Sequence, residues 1–349
     1  MKKKDKNRWG DISYKDVIGP IVDHFYDLCI PDSTDTILSM WTEPHRYYHG
    51  PNHLSEIFEL MRKHGEWTPE KGYNKIMFYS AIFHDIVYDP TRDDNEEKSV
   101  EIFKSYAKKM IPQPDPDEIR IICDIIMDTK TGITKFDYSK NKKFISFDRY
   151  NLLYGSFNEV LSKTMLLFKE EQFMNYPEWK EKTIKFLSQF EDTNPNIKYV
   201  IDYLNMWTPK IGVYCGSFNK FHLGHYNILQ KSERIFDKVI IARGINTDKK
   251  NEIHNLPETL KYHQIEKYDG LLTDFIDSLG YDVVLIRGLR NSNDFENEKI
   301  QYQYLQDLKP DLNVVNIICD KEFEHISSSA IRTLEKFGKG GNYLLEQFD

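Results

Sequence analysis

The spacing of apolar residues changes near residue 205, and this change constrains the fold more than any other feature of the chain. Up to that point, apolar residues recur every three or four positions, which is the period of an amphipathic helix. The clearest helical segments are 54–62, 74–84, 118–127 and 157–190, the last with an internal helix start at Pro177. This part of the chain is therefore predicted to be all-α.

After Pro209 the pattern becomes that of strands alternating with helices. Short runs rich in β-branched residues are separated by helical segments such as 225–236 and 294–308. The runs lie at 211–215, 238–243, 283–287 and 313–318. Such alternation is typical of a doubly wound parallel sheet with helices on both faces. We therefore predict a helical domain at 1–205 and a Rossmann-like α/β domain at 206–349.

Composition excludes several classes of protein. The 349 residues have a formal net charge of −8, which argues against a general nucleic-acid binder, since such a protein needs a basic surface to replace counterions. No stretch approaches the ~18 consecutive apolar residues of a membrane span, and no apolar segment follows the basic N-terminus. The four cysteines form no CxxC pair, which favours reduced thiols and a cytoplasmic location.

The first predicted strand of the second domain runs into the turn GSFNKFHLGH (216–225), which opens a helix. A helix N-terminus presents unpaired N–H groups and the positive end of the helix dipole, and both favour a phosphate. His222 and His225 flank Gly224, where the missing side chain allows close approach of a ligand. Taken alone, this turn is equally consistent with a loop that bears two exposed histidines.

Two further segments add groups that suit phosphate binding. RGLRNSNDFENE (287–298) follows a predicted strand, and its arginines can form bidentate contacts with phosphate. HISSSAIR (325–332) places a hydroxyl-rich turn before the last helix, where N–H groups and hydroxyls can bind an anion. In open α/β sheets, ligands bind at the carboxyl ends of strands, which is where these segments lie.

Together and in this order, the three segments resemble the HxGH nucleotidyltransferases, and the RGLR…DFE block is most similar to the phosphopantetheine adenylyltransferase branch. The resemblance covers about residues 210–335. It implies in-line attack by the phosphate of 4′-phosphopantetheine on the α-phosphorus of ATP, with Mg²⁺ assisting and pyrophosphate released. Such catalysis relies on positioning and charge stabilisation, without a protein nucleophile.

The resemblance also implies roles for individual residues. His225 would steady the transferring α-phosphate, with His222 in the first position of the motif. Lys249, or Lys250 in a rival register, and Arg287 would contact the acceptor phosphate. The residues implied to contact the nucleotide or both substrates are Ser217, Phe218, Gly224, Arg290, Glu298, Ser327, Ser328 and Ser329.

The N-terminal half contains YYHGPNHL (47–54), AIFHDIVYDP (81–90) and DDNEEKS (93–99). His84 and Asp85 are adjacent at the end of an apolar helix, where burial of both is costly unless they are paired or bind a metal. Imidazole nitrogen and carboxylate oxygen suit Mn²⁺, Fe²⁺, Ni²⁺, Co²⁺ or Zn²⁺. A buried His–Asp pair without a metal is the alternative interpretation.

These motifs resemble the HD superfamily of metal-dependent phosphohydrolases over about residues 40–180. The resemblance implies that His53, His84, Asp85 and Asp148 bind the metal, with His49 as the alternative to His53. His49 and the polar run 94–97 would otherwise surround the metal or face the substrate. The metal would lower the pKa of a bound water and polarise a phosphate.

Three hypotheses follow. The first is a bifunctional cytoplasmic enzyme, expected to be a homo-oligomer, that adenylylates 4′-phosphopantetheine and hydrolyses a nucleotide-like phosphoester. The second replaces the acceptor with another small phosphate such as nicotinamide mononucleotide, because the chain between Lys250 and 271–275 is shorter than in the family. The third treats the helical domain as a non-catalytic nucleotide sensor, because DTKTG (128–132) lacks a histidine that relatives often carry.

Overall fold

The computed structural model describes residues 34–68, 72–110, 113–132, 139–245 and 256–345. These residues form two compact units. The helical unit contains the chain up to Glu170 together with Lys182–Asn205, and the sheet unit contains Glu171–Glu181 together with the chain from Met206 onward. Each unit has its own core of buried apolar side chains.

The helical unit confirms the helical character predicted for the N-terminal part. It differs in one short antiparallel hairpin, formed by β1 (Trp67–Thr68) and β2 (Gly72–Tyr73). The helical segment predicted over 157–190, with an internal helix start at Pro177, is divided into two helices, the second of which begins at Tyr176. The helices are α1 (Thr34–Trp41), α2 (Pro51–Lys63), α3 (Lys75–Phe83), α4 (Asn95–Ala107), α5 (Pro116–Thr129), α6 (Ser139–Asp148), α7 (Tyr150–Tyr154), α8 (Phe157–Glu170), α9 (Tyr176–Leu187, which crosses the division between the units) and α10 (Asn196–Met206).

Helix α3 lies at the centre of the helical unit. The Asn74 side chain caps its N-terminus by accepting hydrogen bonds from the backbone N–H groups of Ile76 and Met77. Every residue from Ile76 to Phe83 is buried, so α3 is apolar on all sides, as expected of a helix surrounded by others. The next residue, His84, is therefore carried into the interior at the end of α3.

The sheet unit contains five parallel strands in the order β5-β4-β3-β6-β7. Val213 of β3 is in register with Ile240 of β4 on one side and with Leu285 of β6 on the other. The chain order reverses between β3 and β6, and ligands bind in open α/β sheets outside the strand ends at such a point. The strands are β3 (Ile211–Gly216), β4 (Lys238–Gly244), β5 (Ile265–Tyr268), β6 (Val284–Leu289) and β7 (Asn313–Ile318).

The parallel sheet confirms the predicted α/β architecture, although the pattern did not predict β5. That strand lies at the sheet edge, and its sequence IEKY has two charged residues among four. The helices of the unit are α11 (Leu223–Ser232), α12 (Leu272–Ser278), α13 (Ser292–Leu308) and α14 (Ser328–Glu335). Among the residues that the structure describes, no helix is long and apolar enough to cross a membrane.

The short segment Glu171–Glu181 packs as part of the sheet unit. Trp179 is fully buried, and its ring lies 6.4 Å from that of Trp207. At the start of β4, the buried Lys238 ammonium donates to the carbonyl oxygens of Gln172 and Met174, the latter at 2.8 Å. Burial lowers the pKa of Lys238 to about 7. These contacts make the segment an integral part of this core.

Candidate functional site

A cavity of about 380 Å³ opens at the carboxyl ends of β3, β6 and β7, where the strand order reverses. It brings together most of the predicted nucleotide-site residues, which come from three distant parts of the sequence. The lining residues are Tyr214, His222, Gly224, His225, Ile228, Gly288, Leu289, Arg290, Asp294, Asn297, Glu298, Cys319, Ser327, Ser328 and Ser329.

The turn that enters the cavity has an unusual backbone. Phe218 has φ of +43°, in the left-handed region that side chains other than glycine rarely adopt. Its ring is buried edge-on to the His225 ring, with centroids 5.1 Å apart. A Cβ at Gly216 would lie 2.8 Å from the Phe218 ring, so glycine is required at that position. The buried Phe218 ring thus pins the turn that carries the two histidines.

His222 and His225 form a reciprocal cap at the start of α11. The backbone N–H of His225 donates to Nδ1 of His222 at 3.3 Å, and the backbone N–H of His222 donates to Nδ1 of His225 at 3.4 Å. The two rings stack with centroids 3.6 Å apart. Because Nδ1 accepts in both rings, the proton of each neutral imidazole lies on Nε2.

Both imidazoles are neutral at physiological pH. Burial and the nearby Arg290 guanidinium lower the pKa of His222 to about 4. Burial, His222 and Arg290 together hold the pKa of His225 well below its ordinary value. The pair can therefore donate hydrogen bonds from Nε2 to an anionic ligand without first taking up a proton.

Arg290 is held by Asp294, one turn into α13. The guanidinium makes two hydrogen bonds to the carboxylate, at 2.8 and 2.9 Å, and the Arg290 backbone N–H adds a third at 3.0 Å. Its Nη1 also donates to the Ile326 carbonyl at 3.3 Å, next to the serine turn. Asp294 lies in the segment 287–298, but no role was predicted for it from the sequence. Its i,i+4 spacing from Arg290 was a usable signal for this ion pair.

The serine turn provides the far wall of the cavity. Ser327 caps α14, and its side chain accepts a hydrogen bond from the backbone N–H of Ala330 at 3.1 Å. Ser328 and Ser329 occupy the first turn of the helix, where backbone N–H groups lack intrahelical partners. The cavity is thus bounded by two helix N-termini, those of α11 and α14, and both favour a bound anion.

Arg287 lies in a neighbouring cavity of about 240 Å³ between α13 and strands β6 and β7. Its guanidinium forms a bidentate pair with Glu298, at 2.5 and 2.7 Å, and Nη1 lies 3.0 Å from the Cys215 sulfur. Glu298 lines both cavities and so forms their common wall. Ser217 and Phe218 do not line the larger cavity, and Lys249 and Lys250 lie outside the described residues.

In the helical unit, three of the four predicted metal ligands form one cluster, and the fourth, Asp85, lies beside His84. One ligand atom each from His53, His84 and Asp148 lie within 4.8 Å of one another. The two Nε2 atoms are 3.3 Å apart, and Nε2 of His53 is 3.2 Å from Oδ1 of Asp148. Asp85 places Oδ2 3.0 Å from Nε2 of His84. Helix α2 contributes His53, the end of α3 contributes His84, and α6 contributes Asp148.

The donor set fits a divalent transition metal. Nδ1 of His84 donates to the Ala81 carbonyl at 2.9 Å, so Nε2 is the ring nitrogen that faces the cluster. Although burial opposes it, the carboxylates of Asp85 and Asp148 raise the pKa of His84 to about 9. The cluster therefore favours a positive charge at its centre, which a cation would supply.

Next to this cluster, His49 is held by the buried carboxylate of Glu170, at the end of α8. Oε2 of Glu170 accepts from Nδ1 of His49 at 2.7 Å and from the Tyr88 hydroxyl at 2.8 Å. Oε1 accepts from three successive backbone N–H groups, those of Tyr47, Tyr48 and His49, at 2.7–2.8 Å. Although burial opposes it, His49 holds the pKa of Glu170 below its ordinary value.

Arg46 joins two of the chain segments next to the cluster, those of His49 and of Asp85. It is fully buried, and its guanidinium donates to the carbonyls of His49 at 3.2 Å, Asp85 at 2.6 Å and Ile86 at 3.0 Å. Sequence reasoning missed both Arg46 and Glu170. Arg46 directly precedes the motif at 47–54, whereas Glu170 gave no signal, because it is more than 120 positions from the loop that it holds.

In the polar run 94–97, three members lie close to opposite charges, among them Glu96, whose Oε2 is 3.9 Å from the Lys130 ammonium. Asp94 forms a bidentate pair with Arg92, and Glu97 pairs with Lys130 from the DTKTG segment. Burial raises the pKa of Glu96, and the Asp85 carboxylate adds to this effect. Glu96 is thus a member of the run whose pKa the Asp85 carboxylate helps to raise.

The fold and the cavity define a nucleotidyltransferase-like α/β domain, and a family model described as cytidylyltransferase-like matches residues 213–334. Curated phosphopantetheine adenylyltransferases align with a C-terminal portion that makes up 37–38% of this chain. The protein from Rhodopirellula baltica is 32% identical over 143 residues, 79% of its length. Those from Clostridium perfringens and Mycoplasma capricolum are 36% and 34% identical, over 83% and 99% of their lengths. Through its C-terminal part, the chain belongs to the phosphopantetheine adenylyltransferase family.

Proposed function

We propose that the sheet unit transfers the adenylyl group of ATP to 4′-phosphopantetheine. A phosphate oxygen of the acceptor attacks the α-phosphorus, the bond from that phosphorus to the bridging oxygen breaks, and pyrophosphate leaves. The observation that carries the proposal is the cavity that joins His222 and His225, Arg290 and the serine turn in a member of this family.

Each group has a role that its geometry supports. The Nε2–H groups of the two neutral histidines donate to the α-phosphate, where charge grows in the transition state. The serine turn holds the terminal phosphates of ATP at the α14 N-terminus. Arg287 contacts the acceptor phosphate from the smaller cavity, where Glu298 holds its guanidinium until substrate arrives. Mg²⁺ bound to ATP would neutralise part of the phosphate charge.

The acceptor decides between this function and adenylylation of another small phosphate. Pyrophosphate release is measured with ATP, Mg²⁺ and either 4′-phosphopantetheine or nicotinamide mononucleotide. We expect turnover with the first and background release with the second. Turnover with nicotinamide mononucleotide alone would contradict the pantetheine assignment and keep the transferase chemistry.

We further propose that the helical unit is a metal-dependent phosphohydrolase of the HD type. The convergence of His53, His84, Asp85 and Asp148 supports this proposal. A metal held by these residues would lower the pKa of a bound water and polarise a phosphoester. Among the chain's own residues, Glu170 orients His49 beside the cluster, and Arg46 fixes the backbone around Asp85.

Metal content tests this second proposal. We expect the protein, purified without chelators, to contain about one divalent transition metal per chain, and His84→Ala to lose most of it. His64→Ala is the matched control, because His64 is an exposed imidazole of the same unit, outside the cluster. Equal metal content in wild type and His84→Ala would contradict the site. A wild type that binds metal but hydrolyses no p-nitrophenyl phosphate or bis(p-nitrophenyl) phosphate would favour the sensor alternative.

A further inference from the structure

A reciprocal pair of hydrogen bonds joins helix α11 to the chain just after β7. The Asn227 amide nitrogen donates to Oδ2 of Asp320 at 2.8 Å, and the Asp320 backbone N–H donates to Oδ1 of Asn227 at 2.9 Å. One turn further along α11, the Lys231 ammonium donates to the Ile318 carbonyl at 2.7 Å and lies 2.6 Å from Oδ1 of Asp320.

Asn227 and Asp320 are each close in sequence to residues that line the larger cavity, on opposite sides of it. Asn227 is two residues after His225 on the same helix. Asp320 begins the segment that runs through a short 3-10 turn, Lys321–Phe323, to the capping residue Ser327. Neither Asn227 nor Asp320 lines the cavity itself. Their contact therefore lies where it can set the distance between the side of the cavity formed by His222 and His225 and the side formed by the serine turn.

We propose that Asn227 and Asp320 are positioning residues for adenylyl transfer, which hold the serine turn in register with His225. This inference rests on the proposed transferase function. In the proposed mechanism, the serine turn (Ser327, Ser328 and Ser329) holds the terminal phosphates of ATP while His225 acts at the α-phosphorus. The triphosphate has a fixed length, so a change in the distance between the serine turn and His225 would prevent both contacts from forming well. A misplacement of about 1 Å that is caused by a change far from the reacting atoms can lower the rate ~100-fold.

Exchanging the two residues gives a sharp test. Asn227→Asp alone sets two carboxylates against each other, and we expect kcat to fall about 10- to 100-fold, with the KM for 4′-phosphopantetheine little changed. The double variant Asn227→Asp, Asp320→Asn restores one amide and one carboxylate in reversed positions. It should bring kcat back to within about threefold of wild type. Asp311→Asn is the matched charge control, because Asp311 lies at the other end of β7 and is exposed.

Two outcomes would overturn the inference: an unchanged kcat in Asn227→Asp, or a double variant that stays as slow as the single one. Amide hydrogen exchange gives a readout that needs no acceptor. ATP should protect the amides of residues 327–329 in wild type and in the double variant, and should fail to do so in Asn227→Asp. If wild type adenylylates no acceptor, the proposed function fails, and this protection pattern alone decides whether the pair positions the turn.

Discussion

We expect His225→Ala to lower kcat for the proposed adenylyl transfer by at least about 100-fold, with a much smaller change in the KM for ATP. The Nε2–H of His225 is a preorganised donor in a buried cavity, and removing one such donor typically costs 10²–10³ in rate. In the proposed mechanism, the neutral ring interacts weakly with ground-state ATP and more strongly as charge builds on the α-phosphate, so the loss is expected in kcat.

Pyrophosphate release at saturating ATP and 4′-phosphopantetheine measures this effect, with ATP binding by calorimetry as the check on folding. His263→Ala is the control, because His263 pairs with Glu233 at 2.7 Å before the start of β5, at the opposite end of the sheet from the cavity. A His225→Ala enzyme that keeps more than a third of wild-type kcat would remove this residue from the mechanism.

We expect Glu170→Ala to destabilise the helical unit by about 3–5 kcal/mol, the usual cost of breaking a buried charged network by removing one partner. Glu170 is 1% exposed, and it accepts five hydrogen bonds from three backbone N–H groups and two side chains. Truncation leaves those donors without acceptors in the interior, and each unsatisfied donor is costly.

Urea unfolding of wild type and variant gives the free-energy difference, and hydrogen exchange locates it. The amides of Tyr47, Tyr48 and His49 should be protected in wild type and should exchange rapidly in Glu170→Ala. Glu101→Ala is the comparison, because Glu101 forms only an exposed pair with Lys98 on α4, and its loss should change stability by less than about 1 kcal/mol. If the two variants unfold at the same urea concentration, Glu170 does not stabilise the loop.

Local chemistry explains what the sequence could predict. The turn 216–225 joins a strand to a helix, so its place at the strand end follows from a few neighbouring residues. The helical character of the first half and the parallel sheet follow from hydrophobic period alone. The edge strand β5 was missed because a short strand with charged residues has no clear period.

Contacts between distant residues explain what the sequence could not predict. Glu170 ends an amphipathic helix, where a charged residue normally faces water, and only the fold reveals that it is buried. Asn227 and Asp320 are 93 positions apart, and neither belongs to the motifs that mark the cavity. The choice between His49 and His53 also required three dimensions, since the structure places His53 in the cluster and His49 on Glu170.

The sheet unit includes Glu171–Glu181, which comes from the middle of the chain. The polypeptide therefore passes from one unit to the other after Glu170, after Glu181 and after Asn205. No single recombination breakpoint can therefore separate the two units cleanly. A gene fragment that starts at Met206 would lack Trp179 and would leave the buried Lys238 ammonium without its two carbonyl acceptors. We therefore expect a fragment that starts at Met206 to be less stable than the same residues in the full chain.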